Sequence, residues 1–205
     1  MNLKRIFDVV FSGIGLVVLT PLMIGIAILI RITMGSPVLF RQTRPGLNGV
    51  PFTLFKFRTM RNGPSGALAV ETDARRMTPL GNVLRKGSLD ELPELWNVFR
   101  GEMSLVGPRP LLMEYLEKYS PEQKRRMQVK PGLTGWAQIK GRNSLSWQEK
   151  FALDVWYVDH QSFWLDLRII IITVPVVFMA RGVSTPGEAT TKAFSGQKHG
   201  TKLSS

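Results

Sequence analysis

Residues 9–30 read VVFSGIGLVVLTPLMIGIAILI, 22 consecutive positions without a charge. As a straight helix they would cover about 33 Å, enough to cross a bilayer. A signal peptide has a shorter apolar core. No small-residue cleavage site follows Ile30, where Arg31-Ile32-Thr33-Met34 stands, so a retained membrane segment is expected. Pro21 lies near its middle, preceded by Thr20. Proline removes a backbone donor and crowds the preceding turn, which predicts a kink at Thr20-Pro21. The freed carbonyls would need partners such as the Ser12 or Thr20 hydroxyls. Lys4 and Arg5 flank one end; Arg31, Arg41 and Arg44 flank the other. The positive-inside tendency therefore gives no orientation. A helix that bends at Thr20-Pro21 and leaves by the face it entered satisfies both ends, and a kinked spanning helix also fits. Asp8, at the start, reads as a helix-terminus or interface acid.

The 205 residues suit one domain with a sizeable core. They carry 27 Lys and Arg against 15 Asp and Glu, a formal charge of +12. Such a surface attracts phosphates of nucleotide, lipid or nucleic acid. No acid occurs between Val9 and Val70, whereas six bases do: Arg31, Arg41, Arg44, Lys56, Arg58 and Arg61. The absence of cysteine excludes disulfides and thiolate chemistry. Only His160 and His199 are present, far apart, which argues against a histidine metal site or triad. Acid–base and nucleophilic work falls to carboxylates, Lys or Tyr.

Beyond the apolar segment, Val38 to Met60 reads as an extended pair around the turn Pro45-Gly46-Leu47-Asn48-Gly49. Alternation sets Phe55 and Phe57 on one face and Lys56 and Arg58 on the other, which by itself could be a solvated face. Arg61 to Ala69, holding Asn62-Gly63-Pro64-Ser65-Gly66, reads as a loop. Helices are expected over Thr72–Arg85, with a break at Pro79-Leu80-Gly81, and over Asp90–Arg100, ending at Gly101. Ser120-Pro121-Glu122-Gln123 and Ser146-Trp147-Gln148-Glu149 are capping boxes, the second opening a helix toward Asp159. Phe163 to Ala180 has only 12 charge-free positions, too few to span. It suits an interfacial helix flanked by Trp164, Arg168 and Arg181, or a buried one. The polar segment from Gly182 onward reads as a flexible tail.

The chemistry concentrates at Arg85-Lys86-Gly87-Ser88-Leu89-Asp90-Glu91-Leu92-Pro93. Ser88 with Glu91 three later has capping-box form, although Pro93 would then fall inside the helix. With Asp90 as the cap, Pro93 falls in the first turn, where a missing donor costs little. A helix start also offers unsatisfied amides to a phosphate. Lys56, Arg85 and Arg109 each lie next to a turn or strand, and Gly107-Pro108-Arg109-Pro110 is rigid enough to fix a guanidinium for bidentate phosphate contact.

In order along the chain come the apolar segment with Thr20-Pro21, Gly35-Ser36-Pro37-Val38-Leu39-Phe40-Arg41-Gln42, Lys56-Phe57-Arg58-Thr59-Met60, Ser88-Leu89-Asp90-Glu91-Leu92-Pro93, Gly107-Pro108-Arg109-Pro110 and Pro131-Gly132-Leu133-Thr134-Gly135-Trp136-Ala137-Gln138, closing with Gly141-Arg142-Asn143. This series, from Lys4 to Arg181, resembles the bacterial sugar transferases, the monotopic phosphoglycosyl transferases, in their small form.

The resemblance implies a mainly helical α+β protein in three parts. Residues 1–35 would form a re-entrant membrane helix broken at Thr20-Pro21. Residues 36–182 would form a catalytic domain with a short β-hairpin and interfacial amphipathic helices, and residues 183–205 a polar tail. It implies transfer of a sugar phosphate from a UDP-sugar to polyprenol (undecaprenyl) phosphate, with release of UMP, at the cytoplasmic face of the bacterial inner membrane. Asp90 would be the nucleophile and the contact for Mg²⁺, Glu91 its acid–base partner, and Lys56, Arg85, Arg109 and, less directly, Arg142 the binding cations. Inner-membrane lipids are expected partners, nucleic acid is not, and a homodimer is compatible. Two other classes fit the composition: a membrane-anchored basic lipid-binding module without catalysis, and a structural partner in a membrane assembly.

Overall fold

The computed structural model describes residues 3–61, 76–141, 144–178 and 194. Arg142, the 62–69 part of the expected loop, the start of the expected Thr72–Arg85 helix and the tail other than Phe194 lie outside them.

Helix α1, Leu3–Met34, is helical throughout, with Pro21 inside it. Its most apolar window has a mean hydropathy of 2.6, and only 11% of that window is buried. A core helix of that composition would be covered; this one exposes Val17, Val18, Leu22, Ile28 and Ile32, and by length and composition it can cross a membrane. No helical turn is lost at Thr20-Pro21. The carbonyl deprived of a donor by Pro21 is that of Val17, four residues earlier. The Thr20 hydroxyl donates instead to the Leu16 carbonyl at 2.5 Å, and Ser12 to that of Asp8 at 2.5 Å.

Both ends of α1 are tied to the rest of the protein. At the start, Asp8 is buried and accepts from the Ser104 hydroxyl (3.1 Å) and the Leu105 amide (2.9 Å). Lys4 donates to the Val106 carbonyl at 3.0 Å and pairs with buried Asp166. Arg5 donates to the Val98 and Phe99 carbonyls at 2.7 and 2.8 Å. At the far end Ile26 and Ile30 pack with Phe57 and Leu84. Arg58 caps the helix there, donating to the Met34, Gly35 and Ser36 carbonyls at 2.5, 2.7 and 3.0 Å. A cation at a helix C-terminus meets the orphan carbonyls and the negative end of the dipole together. Arg58 is therefore buried, and no part of a solvated strand face.

Strands β1, Leu39–Pro45, and β2, Pro51–Phe57, form the expected antiparallel hairpin, in register from Leu39 opposite Phe57 to Pro45 opposite Pro51. One face of β2 is covered along its length and the other only at its end, Pro51 and Thr53 being exposed. Phe57 faces α1, while Phe52 and Leu54 pack with Val98 and Met103 on the other side. Lys56 shares the Phe52–Leu54 face by the two-residue period, so it too points inward.

Helix α2, Pro79–Lys86, begins where a break was expected. Thr78 accepts from the Gly81 amide at 2.9 Å and Pro79 takes the first position, so the proline starts this helix. A 3₁₀ turn, Leu89–Glu91, precedes α3, Glu94–Arg100. Neither expected cap operates: Ser88 is left-handed (φ 54°) without a side-chain cap bond, and α3 starts after Pro93. Gly101, at φ 88°, ends α3 as expected. Asn97, wholly buried, bonds the Phe55 amide (3.2 Å) and the Thr53 carbonyl (2.7 Å), pinning α3 to the middle of β2.

Strands β3, Ser104–Val106, and β4, Gly132–Thr134, pair in parallel. Helices α4 (Pro121–Lys124), α5 (Trp136–Lys140), α6 (Trp147–His160) and α7 (Phe163–Phe178) follow. Both downstream capping boxes, at Ser120 and Ser146, form. Helix α7 is one-sided: Ile169 packs with Val106 and Tyr157, whereas Trp164, Ile171 and Val174 are exposed. Four small apolar clusters hold the protein together, and the charged centre lies beside two of them.

Candidate active site

Three elements converge on Lys56. Strand β2 turns its side chain toward α3, which Asn97 fixes to Thr53 and Phe55, three and one residues upstream in β2. The 3₁₀ turn and the first turn of α3 then bring two carboxylates to the ammonium: Glu91 at 2.7 Å and Glu94 at 3.0 Å. Arg109 reaches Glu91 from the opposite side with both guanidinium nitrogens. Its loop is fixed by the pairing of β3 with β4. The Gly107 amide donates to Thr134 at 2.9 Å and the Gly132 amide to Pro108 at 3.0 Å. Here a Cβ on Gly132 would stand 2.0 Å from the Gly107 nitrogen. The glycines of Gly107-Pro108-Arg109-Pro110 and Pro131-Gly132-Leu133-Thr134-Gly135 thus serve one close crossing that aims Arg109. Arg44, on β1, supports the loop through the Pro110 carbonyl, and Arg126 donates to the carbonyl of Arg109 itself at 2.7 Å.

Arg85 closes the group at the end of α2, its Nε held by the Thr59 hydroxyl at 3.0 Å. Asp90 is buried and feels Lys56, Arg85 and Arg109. Glu91 and Glu94 are ion-paired, but no ion pair joins the Asp90 carboxylate to another described residue.

The three acids titrate differently. Burial and then the neighbouring Glu91 push Asp90 up, against the pull of Lys56, Arg85 and Arg109. Burial would also raise Glu91, but Arg109 and Lys56 outweigh it and hold this carboxyl well below the usual range. For Glu94, burial, helped by Glu91, outweighs the pull of Lys56 and Arg109 and pushes it up to about 7. Lys56 would be lowered by burial, and Glu91 and Glu94 together raise it. Among the described residues the arrangement supplies a carboxylate without an ion pair that feels fixed cations, a clamped carboxylate beside it and a third that exchanges a proton near neutrality.

A family model described as bacterial sugar transferase matches residues 1–180. The chain belongs to that family. It is an enzyme of that class. It is 51% identical to an uncharacterized sugar transferase, EpsL, of Bacillus subtilis (strain 168), over 96% of this chain and 97% of that protein. It is 43% identical to the UDP-glucose:undecaprenyl-phosphate glucose-1-phosphate transferase of Caulobacter vibrioides, over 84% of this chain and 68% of the relative. The Escherichia coli (strain K12) protein of the same description is 40% identical over 84% of this chain, but only 39% of its own length is matched.

Of the residues singled out from sequence, Lys56, Asp90, Glu91, Arg85 and Arg109 come together, and Arg142 lies outside the described residues. Glu94 was missed. Its signal was the three-residue spacing from Glu91, which places both on one side of a helical turn. It went unread because an acid in a first helical turn is so ordinary.

Proposed function

We propose that this sugar transferase moves a sugar phosphate from a UDP-sugar to polyprenol (undecaprenyl) phosphate, the first membrane step of glycoconjugate synthesis. The observation that carries the reading is Asp90: buried, without an ion pair among the described residues, and acted on by Lys56, Arg85 and Arg109, while its neighbour Glu91 is clamped. In the first step an Asp90 carboxylate oxygen attacks the sugar-bearing phosphorus. The bond to the bridging oxygen breaks, and UMP leaves with the electron pair. In the second, an oxygen of polyprenol phosphate attacks the same phosphorus and releases the Asp90 carboxylate. Anion attacking anion requires fixed positive charge, which the three cations provide.

The resemblance to the bacterial sugar transferases implies the acid–base role for Glu91. Its two cations suit it better to holding Lys56 and Arg109 in place, and Glu94 suits the proton better. The residues fit Mg²⁺ bound mainly by substrate: among the described residues no group of three or more His, Cys, Asp or Glu is arranged to hold a metal ion, and Asp90 has no ion pair there. When bound there, Mg²⁺ would neutralise diphosphate charge.

The ties at both ends of α1 support the re-entrant reading. A straight α1 would be about 48 Å long, and a spanning helix carries one end away from a domain on one side of the bilayer. Lys4, Arg5 and Asp8 at one end, and Met34 to Ser36 at the other, instead bond the same body. That body would lie on the cytoplasmic face of the inner membrane, its basic side toward anionic lipid.

The test is UMP release from a panel of UDP-sugars with polyprenol phosphate and Mg²⁺. Without acceptor, the wild type should gain the mass of a sugar phosphate at Asp90. A chain that binds lipid but releases no nucleotide would be the non-catalytic basic module instead.

A further inference from the structure

Between Gly182 and Ser205 the chain is rich in Gly, Ser, Thr and Lys, and Phe194 is its one Phe, Tyr or Trp. That residue is not solvated. Its ring is 6% exposed and sits among Phe151 (centroids 5.0 Å apart), Tyr115 (5.6 Å), Trp147 (5.6 Å) and Tyr119 (6.1 Å). Its backbone is held too: the amide donates to the Tyr115 hydroxyl at 3.1 Å, and Lys118 donates to its carbonyl at 3.4 Å. A lone phenylalanine in a polar tail, bonded through ring, amide and carbonyl, is a specific docking contact.

What the cage touches gives the contact its purpose. Tyr119 and Phe151 also form the bed of Arg126, whose guanidinium carbon lies 5.9 and 5.7 Å from their centroids. Arg126 spends its donors on Asp154, at 2.7 and 3.0 Å, on the Tyr119 hydroxyl at 3.4 Å and on the Arg109 carbonyl at 2.7 Å. The side chain of Arg109 clamps Glu91. An unbroken series of contacts therefore runs from Phe194 through Tyr119 and Phe151 to Arg126, and from there to the loop that aims Arg109.

We propose that Phe194 is a positioning residue, which by filling this cage holds Arg126 and so keeps the Arg109 loop set against Glu91. The kinetic part rests on reading Arg109 as a phosphate ligand; the structural part does not. Removing the ring leaves a void beside Tyr119 and Phe151 and frees Arg126 to shift. Misplacing a remote support can cost up to roughly a hundredfold in rate.

Two measurements on the full-length chain test this. In hydrogen exchange, Phe194→Ala should speed exchange of the Gly107 and Gly132 amides, which donate to the Thr134 and Pro108 carbonyls, roughly tenfold or more and leave the β1–β2 hairpin unchanged. Unchanged exchange of these two amides, or uniform acceleration everywhere, would overturn the proposal, whatever the substrate. In turnover, Phe194→Ala should raise KM for the UDP-sugar roughly tenfold with kcat within about twofold, and Phe194→Tyr should recover it. In an Arg109→Lys background Phe194→Ala should add little, because both act through one contact. Full additivity, or no recovery by Tyr, would also overturn it. Absence of any UMP release by the wild type would sink the functional reading alone and leave the exchange result to decide the latch.

Discussion

Two clusters of charge differ in what they leave unmade. Around Arg126, the donors go to Asp154, the Tyr119 hydroxyl and the Arg109 carbonyl, and aromatic rings cover the faces of the guanidinium. Around Lys56, one account does not close: Asp90 has no ion pair among the described residues, while Glu91 and Glu94 both have one. The Arg126–Asp154 pair is almost fully buried, whereas Lys56 and Glu91 are half-buried and Arg109 is exposed. A satisfied ion pair holds a fold. An unsatisfied one is tolerated where something else is to complete it, and here the missing partners are phosphates.

The contrast breaks most sharply at Asp90. Asp90→Ala should lower UMP release by roughly 10³-fold or more with the melting temperature intact, since no partner is left stranded. A large loss of stability, or retained turnover, would erase the difference between the clusters. The mirror experiment is Asp154→Ala, which strands Arg126 and should cost about 3–5 kcal/mol in denaturant unfolding. Replacing both Arg126 and Asp154 by apolar residues of similar volume should recover much of that loss.

Glu94 sharpens the comparison through pH. Its carboxyl is raised from 4.5 to about 7 in the folded chain, so between those values the folded state holds a proton that the unfolded state has lost. Stability is then fully present below about 4.5 and falls as pH rises through about 7, by up to about 3 kcal/mol. Glu94→Gln should flatten that decline in thermal melts from pH 5 to 8, and a slope equal to wild type would show that another group carries it. The same variant should lose the limb of the activity profile near pH 7. The smallest change sets the scale: Ser146→Ala removes a cap remote from both clusters and should cost about 1 kcal/mol in thermal unfolding, with KM unchanged.

What could be read in the sequence was what is local. The hairpin follows from Gly46 to Gly49 between two apolar runs, and the caps at Ser120 and Ser146 from four-residue patterns, because each signal and its partner lie within one turn. The apolar stretch of α1 needed only its length. The Ser88 cap failed because Lys56 and Arg109, 35 and 18 residues away from Glu91, claim the carboxylate that the capping box required. Lys56 and Arg58 looked able to face water because alternation names a strand's two faces without saying that α1 and α3 claim these two side chains. Phe194 sat in a segment whose composition favours disorder, and a single ring carries no periodicity to reveal its cage. The five converging site residues came from ordered motifs, whereas Glu94 needed the fold.

The ties at the start of α1 also set a timetable. Asp8 bonds residues 96 and 97 positions later, and Lys4 pairs with a residue 162 positions later. At about 5–20 residues per second of synthesis, Lys4 waits roughly 8–30 s for Asp166 to be made. During that interval Arg5 and Asp8 can already bond residues 98 to 105, so the pairing of Lys4 with Asp166, in the first turn of α7, comes last and completes the lock on the start of the protein.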